Sequence, residues 1–324
     1  MTRLSVRFVF ALIGAVVVPA GAQEVSQVDS MPAPLALEPG ANYRVYTSGG
    51  DSSSLQSIVS RALGEDVLLV GEEHGDLIGH RIEAVLLEAV IDTVAGGAGA
   101  GRPVVLSMEM FERDVQLVVD EYLDDLVTEA HFMSSSRPWT DYEVRYRPLV
   151  EAARGAGVPV VAANAPRRYV NRVTRQGPWA LEELSADARA FLPPIPYPLA
   201  SPAYRAEWDA IMSEYQHAAQ DEEANDRMLA AQALWDASMG HAITEALVEH
   251  LGALVVHYAG SFHVDHGLGI PERIADYRPG TRVTTVVIRP VEDVNAWVSE
   301  DHTGLGDFVI LTKRADPEAT ADGS

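Results

Sequence analysis

The stretch Val67-Leu68-Leu69-Val70-Gly71-Glu72-Glu73-His74 decides the fold. Four apolar residues in a row suit a strand buried on both faces, as strands of parallel sheets are. The run then breaks at a glycine followed by two acids and a histidine. The same design recurs downstream. Val104–Met108 is followed at once by Glu109, Val158–Ala162 leads into Asn164, and Leu254–Tyr258 leads into Gly260-Ser261-Phe262-His263. Val283–Ile288 and Phe308–Thr312 complete six expected strands.

Helical patterns separate these runs, which predicts βαβ units and an α/β fold with a mostly parallel sheet flanked by helices. After His74, Asp76 is placed to cap a helix whose apolar stripe is Ile78, Ile82, Val85, Leu86, Ala89 and Val90, closed by Gly96-Gly97. Further helices are expected from near Arg113 toward Val127 and from about Tyr146 to Ala153. Roughly ninety residues lie between the third and fourth strands, far more than a crossover needs. They predict an inserted smaller helical subdomain at about residues 165–250, broken by Pro193-Pro194-Ile195-Pro196-Tyr197-Pro198 and ending in a long helix from about Glu223 to His250.

The ends read differently. Arg3 and Arg7, an apolar run from Phe8 to Val18 and Ala20-Gly21-Ala22 form a secretory-signal pattern, so cleavage is expected after Ala22. Residues 23–42 and 315–324 read as loose segments around a domain spanning 43–314. No later segment reads as a membrane span, and the expected location is the periplasm or the medium. Cysteine is absent, which excludes disulfides, thiolate metal sites, a catalytic thiol and acylation of the mature N-terminus. The net charge of −23, which becomes −25 without Arg3 and Arg7, repels phosphate backbones and anionic lipids. Nucleic-acid binding is therefore not expected.

In open α/β sheets, ligands bind beyond the carboxyl ends of the strands. Glu72, His74, Glu109 and His263 all fall there, with Asn164 on a further strand. His80 is in the first turn of the next helix and is close enough to join them. Alone, any one of these is commonly a loop residue bonded to backbone; together they predict one pocket. Carboxylates with neutral imidazoles are ligands for a divalent metal such as manganese, cobalt or zinc, and Glu72 or Glu109 would then serve as general base of a hydrolase. Equally, His, Met or Tyr can ligate haem iron while arginines hold propionates. Residue types leave both open. Met228, Gln232, Asp236, Met239 and Ile243 form a stripe on the long helix, with two polar members. Arg167-Arg168, with Arg172 beyond, is a local cationic cluster in an acidic chain.

Several strings together resemble the ChaN-like haem-binding family of the Tiki, TraB and erythromycin esterase superfamily. They are Gly71-Glu72-Glu73-His74 with His80, Met108-Glu109-Met110-Phe111 with Gln116, Tyr146-Arg147-Pro148, Ala163-Asn164-Ala165-Pro166-Arg167, Ala231-Gln232 with Trp235-Asp236 and Met239, and Ala259-Gly260-Ser261-Phe262-His263 leading into Gly267-Leu268-Gly269-Ile270-Pro271. The resemblance implies haem as cofactor, a role in bacterial iron uptake, and homodimers with haem held between helical parts. It makes Arg167, Arg168, Tyr169, Gln232 and Asp236 the expected cofactor-binding residues, with Tyr169, Tyr197, Tyr204 and Tyr215 as candidate iron ligands. The two G-x-x-H strings are also similar to the paired metal motifs of Tiki-type hydrolases. Under that reading Glu72, His74, His80, Glu109 and His263 are the metal set.

Overall fold

A computed structural model of the chain describes residues 35–97, 101–214 and 221–314. The expected signal segment, most of the loose N-terminal stretch, Tyr215 and the C-terminal tail lie outside the described residues.

Eight strands form one sheet: β1 Tyr43–Thr47, β2 Ser52–Ser53, β3 Val67–Glu72, β4 Val104–Glu112, β5 Val160–Asn164, β6 Leu254–Gly260, β7 Val283–Val291 and β8 Phe308–Lys313. Their order is β2-β1-β8-β7-β3-β6-β4-β5. The last six are mutually parallel, and β1 and β2 add an antiparallel edge. The α/β class and the mostly parallel sheet thus match the sequence reading. Every expected strand is present, most of them extended by one to four residues at the carboxyl end. The third is displaced from Val158–Ala162 to Val160–Asn164. Val158 is spent on the turn that closes the preceding helix, its N–H reaching the Ala153 carbonyl, and Pro159 has no N–H to give.

Twelve helices surround the sheet among the described residues: α1 Leu55–Ala62, α2 Leu77–Ala95, α3 Gln116–Leu123, α4 Glu129–Ser136, α5 Tyr142–Arg145, α6 Arg147–Ala156, α7 Arg167–Gln176, α8 Ala186–Arg189, α9 Pro202–Glu214, α10 Glu222–Glu249, α11 Ile270–Tyr277 and α12 Ser299–His302. Asp76 caps α2 as expected, accepting from the Ile78 N–H at 3.0 Å. The helix expected from Arg113 to Val127 is shorter. It opens as a 3-10 turn at Arg113–Val115 and stops at Leu123, where Asp125 takes a left-handed conformation.

Alternate strand residues feed two cores. Leu68, Val70, Leu106 and Val256 pack under α2 and α6, while Val67, Leu69, Val105 and Val255 pack under α10 and α11. The chain leaves β3 into α2 on the first face and leaves β6 into α11 on the second. Because β3 and β6 are neighbours, their carboxyl ends flank a topological switch point, where such sheets open a crevice. Helices α7 to α10 fill the interval between β5 and β6. α10 is about 42 Å long at 1.5 Å per residue. Met239, Ala242, Ile243 and Ala246 on it cover the sheet, Ala230 to Ala237 pack on α7, and Met228 and Leu229 meet α9.

Candidate functional site

The two G-x-x-H strings make room for each other at the switch point. A Cβ on Gly71 of β3 would stand 2.9 Å from the Ser261 Cα, and one on Gly260 of β6 would stand 3.0 Å from the His74 imidazole. Glycine at both positions lets the backbone after β6 close on β3 while the His74 ring lies on β6. Between them, Glu109 is turned inward by an irregularity in the β4–β5 pairing that leaves residues 109–111 opposite a single residue. Its Oε2 accepts the Gly260 N–H at 2.7 Å.

The polar groups form a chain of alternating acid and imidazole that runs from one sheet face over the strand ends to the other. On the α2 face, His80 Nδ1 lies 3.0 Å from Glu83 Oε2 and 3.2 Å from Glu72 Oε2. Glu72 Oε1 accepts from His74 Nδ1 at 2.6 Å and from the Tyr146 hydroxyl at 2.8 Å. On the α10 face, His263 Nε2 is 3.6 Å from Glu109 Oε1, and its Nδ1 is 2.6 Å from Asp236 Oδ1. The order is Glu83, His80, Glu72, His74, then Glu109, His263, Asp236. His74 spans the two halves across Gly260.

Electrostatics follow from this alternation. Burial by itself would raise the Glu72 carboxyl, but the His80 charge and the hydrogen bonds from His74 and His80 outweigh it and hold Glu72 far below the usual carboxylate range. His80 is pushed up to about 11, burial being overcome by the Glu72 charge and by bonds to Glu72 and Glu83. Glu83 moves the other way: burial and then the adjacent Glu72 charge raise it well above its ordinary value, so it keeps its proton. Glu83 Oε1 is buried without a hydrogen-bond partner, which suits an oxygen that carries the proton. His263 rises to about 9; burial opposes its charge, and Glu109 and Asp236 override it. His257, buried beneath on β6 and bonded to Ser107 at 2.8 Å, is depressed to about 3 by burial and by the charge on His263, and is neutral.

Of the residues expected from the sequence, Glu72, His74, His80, Glu109 and His263 all lie at the strand ends, in two halves. Glu72, His80 and Glu83 are, among the described residues, the histidine-acid group whose donor atoms converge within 4.8 Å, the spacing a metal ion needs. His74 is the accessible member, with half of its side chain exposed and its ring edge-on to Trp139 at 4.9 Å. Gln232 and Asp236 belong with His263 and are buried, so they do not form one set with Arg167, Arg168 and Tyr169 on α7. Arg168 stacks on the Tyr169 ring at 4.4 Å, donates to its hydroxyl at 3.3 Å and pairs with Asp114. Arg172 pairs with Glu183, and Arg167 makes no ion pair among the described residues. Tyr197 and Tyr204 are enclosed; the Tyr197 hydroxyl is spent on the Ala230 carbonyl at 2.8 Å. Glu83 was not anticipated, and Tyr146 stood in a family-like string without a role in the site. Glu83 could have been found: an acid flanked by Ile82 and Ala84 on the inward stripe of α2, three residues after His80, has to be compensated.

A family model described as haem-binding uptake, Tiki superfamily, ChaN matches residues 58–274. No curated protein matches the sequence. Among solved structures, one of cofacial haem binding to ChaN of Campylobacter jejuni is similar with a TM-score of 0.64 at 15% identity, covering 86% of this chain and 100% of that one. A type III effector is similar at 0.44 and 15% identity, covering 86% and 100%, and a Bacillus cereus protein at 0.44 and 11%, covering 85% and 95%.

Proposed function

Because the chain belongs to the haem-binding uptake family of ChaN in the Tiki superfamily, we propose that it binds haem, and that it does so on the outer face of α7 in the helical part. The observation that carries this reading is the Arg168–Tyr169 stack. Haem asks for an aromatic or apolar face, cations for its propionates and a donor for iron. The residues present fit: Arg167, with no ion pair among the described residues, supplies a cation, Arg168 lying over the Tyr169 and Phe191 rings makes a flat cationic and aromatic surface, and the exposed Trp179 lies on the turn after α7. In one chain Arg167 and Arg168 are exposed beside the half-buried Tyr169 and Phe191, so one copy covers a haem on one side only, which favours haem held between two copies.

Titration of the purified protein with haemin, followed by visible absorption, tests the reading. A shifted Soret band that saturates at a fixed ratio is expected, and Arg167→Glu with Arg168→Glu weakens binding at least tenfold. A spectrum that stays that of free haemin refutes it. We further propose that the protein is exported and takes part in haem or iron handling outside the cytoplasm, on the strength of the signal pattern at residues 1–22. Mass spectrometry of the exported chain is expected to find Gln23 at its N-terminus; retention of Met1 argues against this.

A second reading rests on the strand ends. Converging Glu72, His80 and Glu83, with accessible His74 beside Glu109, favour a divalent-metal site with hydrolytic chemistry, in which Glu72 or Glu109 acts as base. Its test is metal content: manganese, cobalt or zinc retained at one equivalent by the parent and lost from His74→Ala supports it, and a metal-free parent after growth with each ion rejects it.

A further inference from the structure

One seam of the molecule is unexplained by either reading. Helix α9 lies over the His263 half of the site. Tyr204 stacks on Phe262 at 5.1 Å and Trp208 approaches the same ring at 6.1 Å, so α9 grips the residue next to His263. Its other ties are to the first turn of α10: Arg205 to Asp226 at 2.7 Å, the Trp208 indole N–H to Asn225 at 2.9 Å, and Asn225 to Asp209 at 3.2 Å. Tyr204 is 1% exposed, as is Asp236. Yet the Tyr204 hydroxyl and Asp236 Oδ2 are both buried without a hydrogen-bond partner, although they face each other, with Gln232 alongside. Two orphaned polar atoms on opposite sides of one seam cost free energy that a small closing movement would recover.

We propose that Tyr204 is a positioning residue of the strand-end site: its phenol is the partner of the open Asp236 oxygen, and by this contact α9 of the helical part fixes Asp236 and, through it, the ring of His263. Asp236 Oδ1 already holds His263 Nδ1 at 2.6 Å, so the second oxygen decides which way the carboxylate is turned. A carboxylate that orients an imidazole in this way holds the Nδ1 proton in place and sets where the Nε2 edge points. A phenol is a fitting donor for it, because burial and the adjacent Asp236 charge keep Tyr204 protonated at any ordinary pH. The inference holds whichever ligand the site takes. It ties the helical part to chemistry at the strand ends instead of leaving it as a separate haem-carrying surface.

The test uses the whole chain and long-range nitrogen-proton correlation spectra of the histidine rings, with His80 on the opposite sheet face as internal control. Exchange of the His263 Nδ1 proton with water is expected to accelerate at least tenfold in Tyr204→Phe and in Asp236→Asn, with no further gain in the double variant. His80 should be unmoved in all three. Trp208→Ala, which loosens α9 without touching Asp236, should accelerate His263 alone as well. If Tyr204→Phe leaves His263 unchanged and melts higher than the parent, the hydroxyl is only an unpaired buried group and the proposal fails. Equal acceleration at His263 and His80 would mean general loosening and would also overturn it.

Discussion

At the scale of single residues, Glu72 is the hinge of the site, since it takes His74, His80 and Tyr146 at once. Removing it leaves a buried imidazolium without its counter-charge, which costs about 3–5 kcal/mol for such pairs. Glu72→Ala is therefore expected to lose most of the protein's stability in urea, far more than Glu73→Ala at the rim. Charge state gives a second expectation. The raised values of His263, about 9, and His80, about 11, mean that their ion pairs contribute fully below the unfolded histidine value near 6.5 and fade as pH climbs through 9 and then 11. The melting temperature should fall between pH 7 and pH 10, and the fall should be smaller in His263→Gln; equal falls would show that His263 is not charged in the fold. Glu72, His74, Glu109 and His263 were legible because each falls just after a continuous apolar run. Tyr146 stood in one of the strings that carry the resemblance, but its role was not legible, because its partner lies seventy-four positions away.

At the scale of elements, the two strand-end glycines make different demands. A methyl on Gly71 meets backbone at Ser261, whereas one on Gly260 meets the far end of the His74 side chain, which can swing aside. Gly71→Ala should thus be the costlier change, by about 1–3 kcal/mol, and Gly260→Ala should keep the fold but strain the bond of His74 to Glu72. Denaturant melts of the two variants decide this, and the reverse ranking would show that the strand ends are not packed as described. The free edge at β5 is closed by a side chain: Gln116 donates to the Val160 carbonyl and accepts from the Ala162 N–H, imitating a ninth strand. Gln116→Ala should expose that edge and promote self-association, which sedimentation would detect. Strand β1 escaped the sequence reading because Tyr43, Val45 and Tyr46 form an antiparallel edge that does not follow the continuous apolar pattern of the parallel strands. The long apolar runs, by contrast, could hardly be anything else.

At the scale of the whole molecule, the sequence carried the class of fold and the presence of a helical part, but not the strand order. Nothing local tells β6 to return between β3 and β4, and that return is what splits the polar cluster into two halves on opposite faces. The same limit applies to α10, whose single apolar stripe serves the sheet at one end and α7 and α9 at the other. Among the described residues no helix is long and apolar enough to cross a membrane. We propose that this architecture holds haem between two copies of the chain. Sedimentation velocity of the haemin-treated protein, recorded at the Soret wavelength and at 280 nm in one run, tests it most directly. The expected result is haem absorbance moving with the protein boundary at a fixed ratio and at the rate of a two-chain species. Haem absorbance left behind while the protein sediments as it does without haemin would contradict the account.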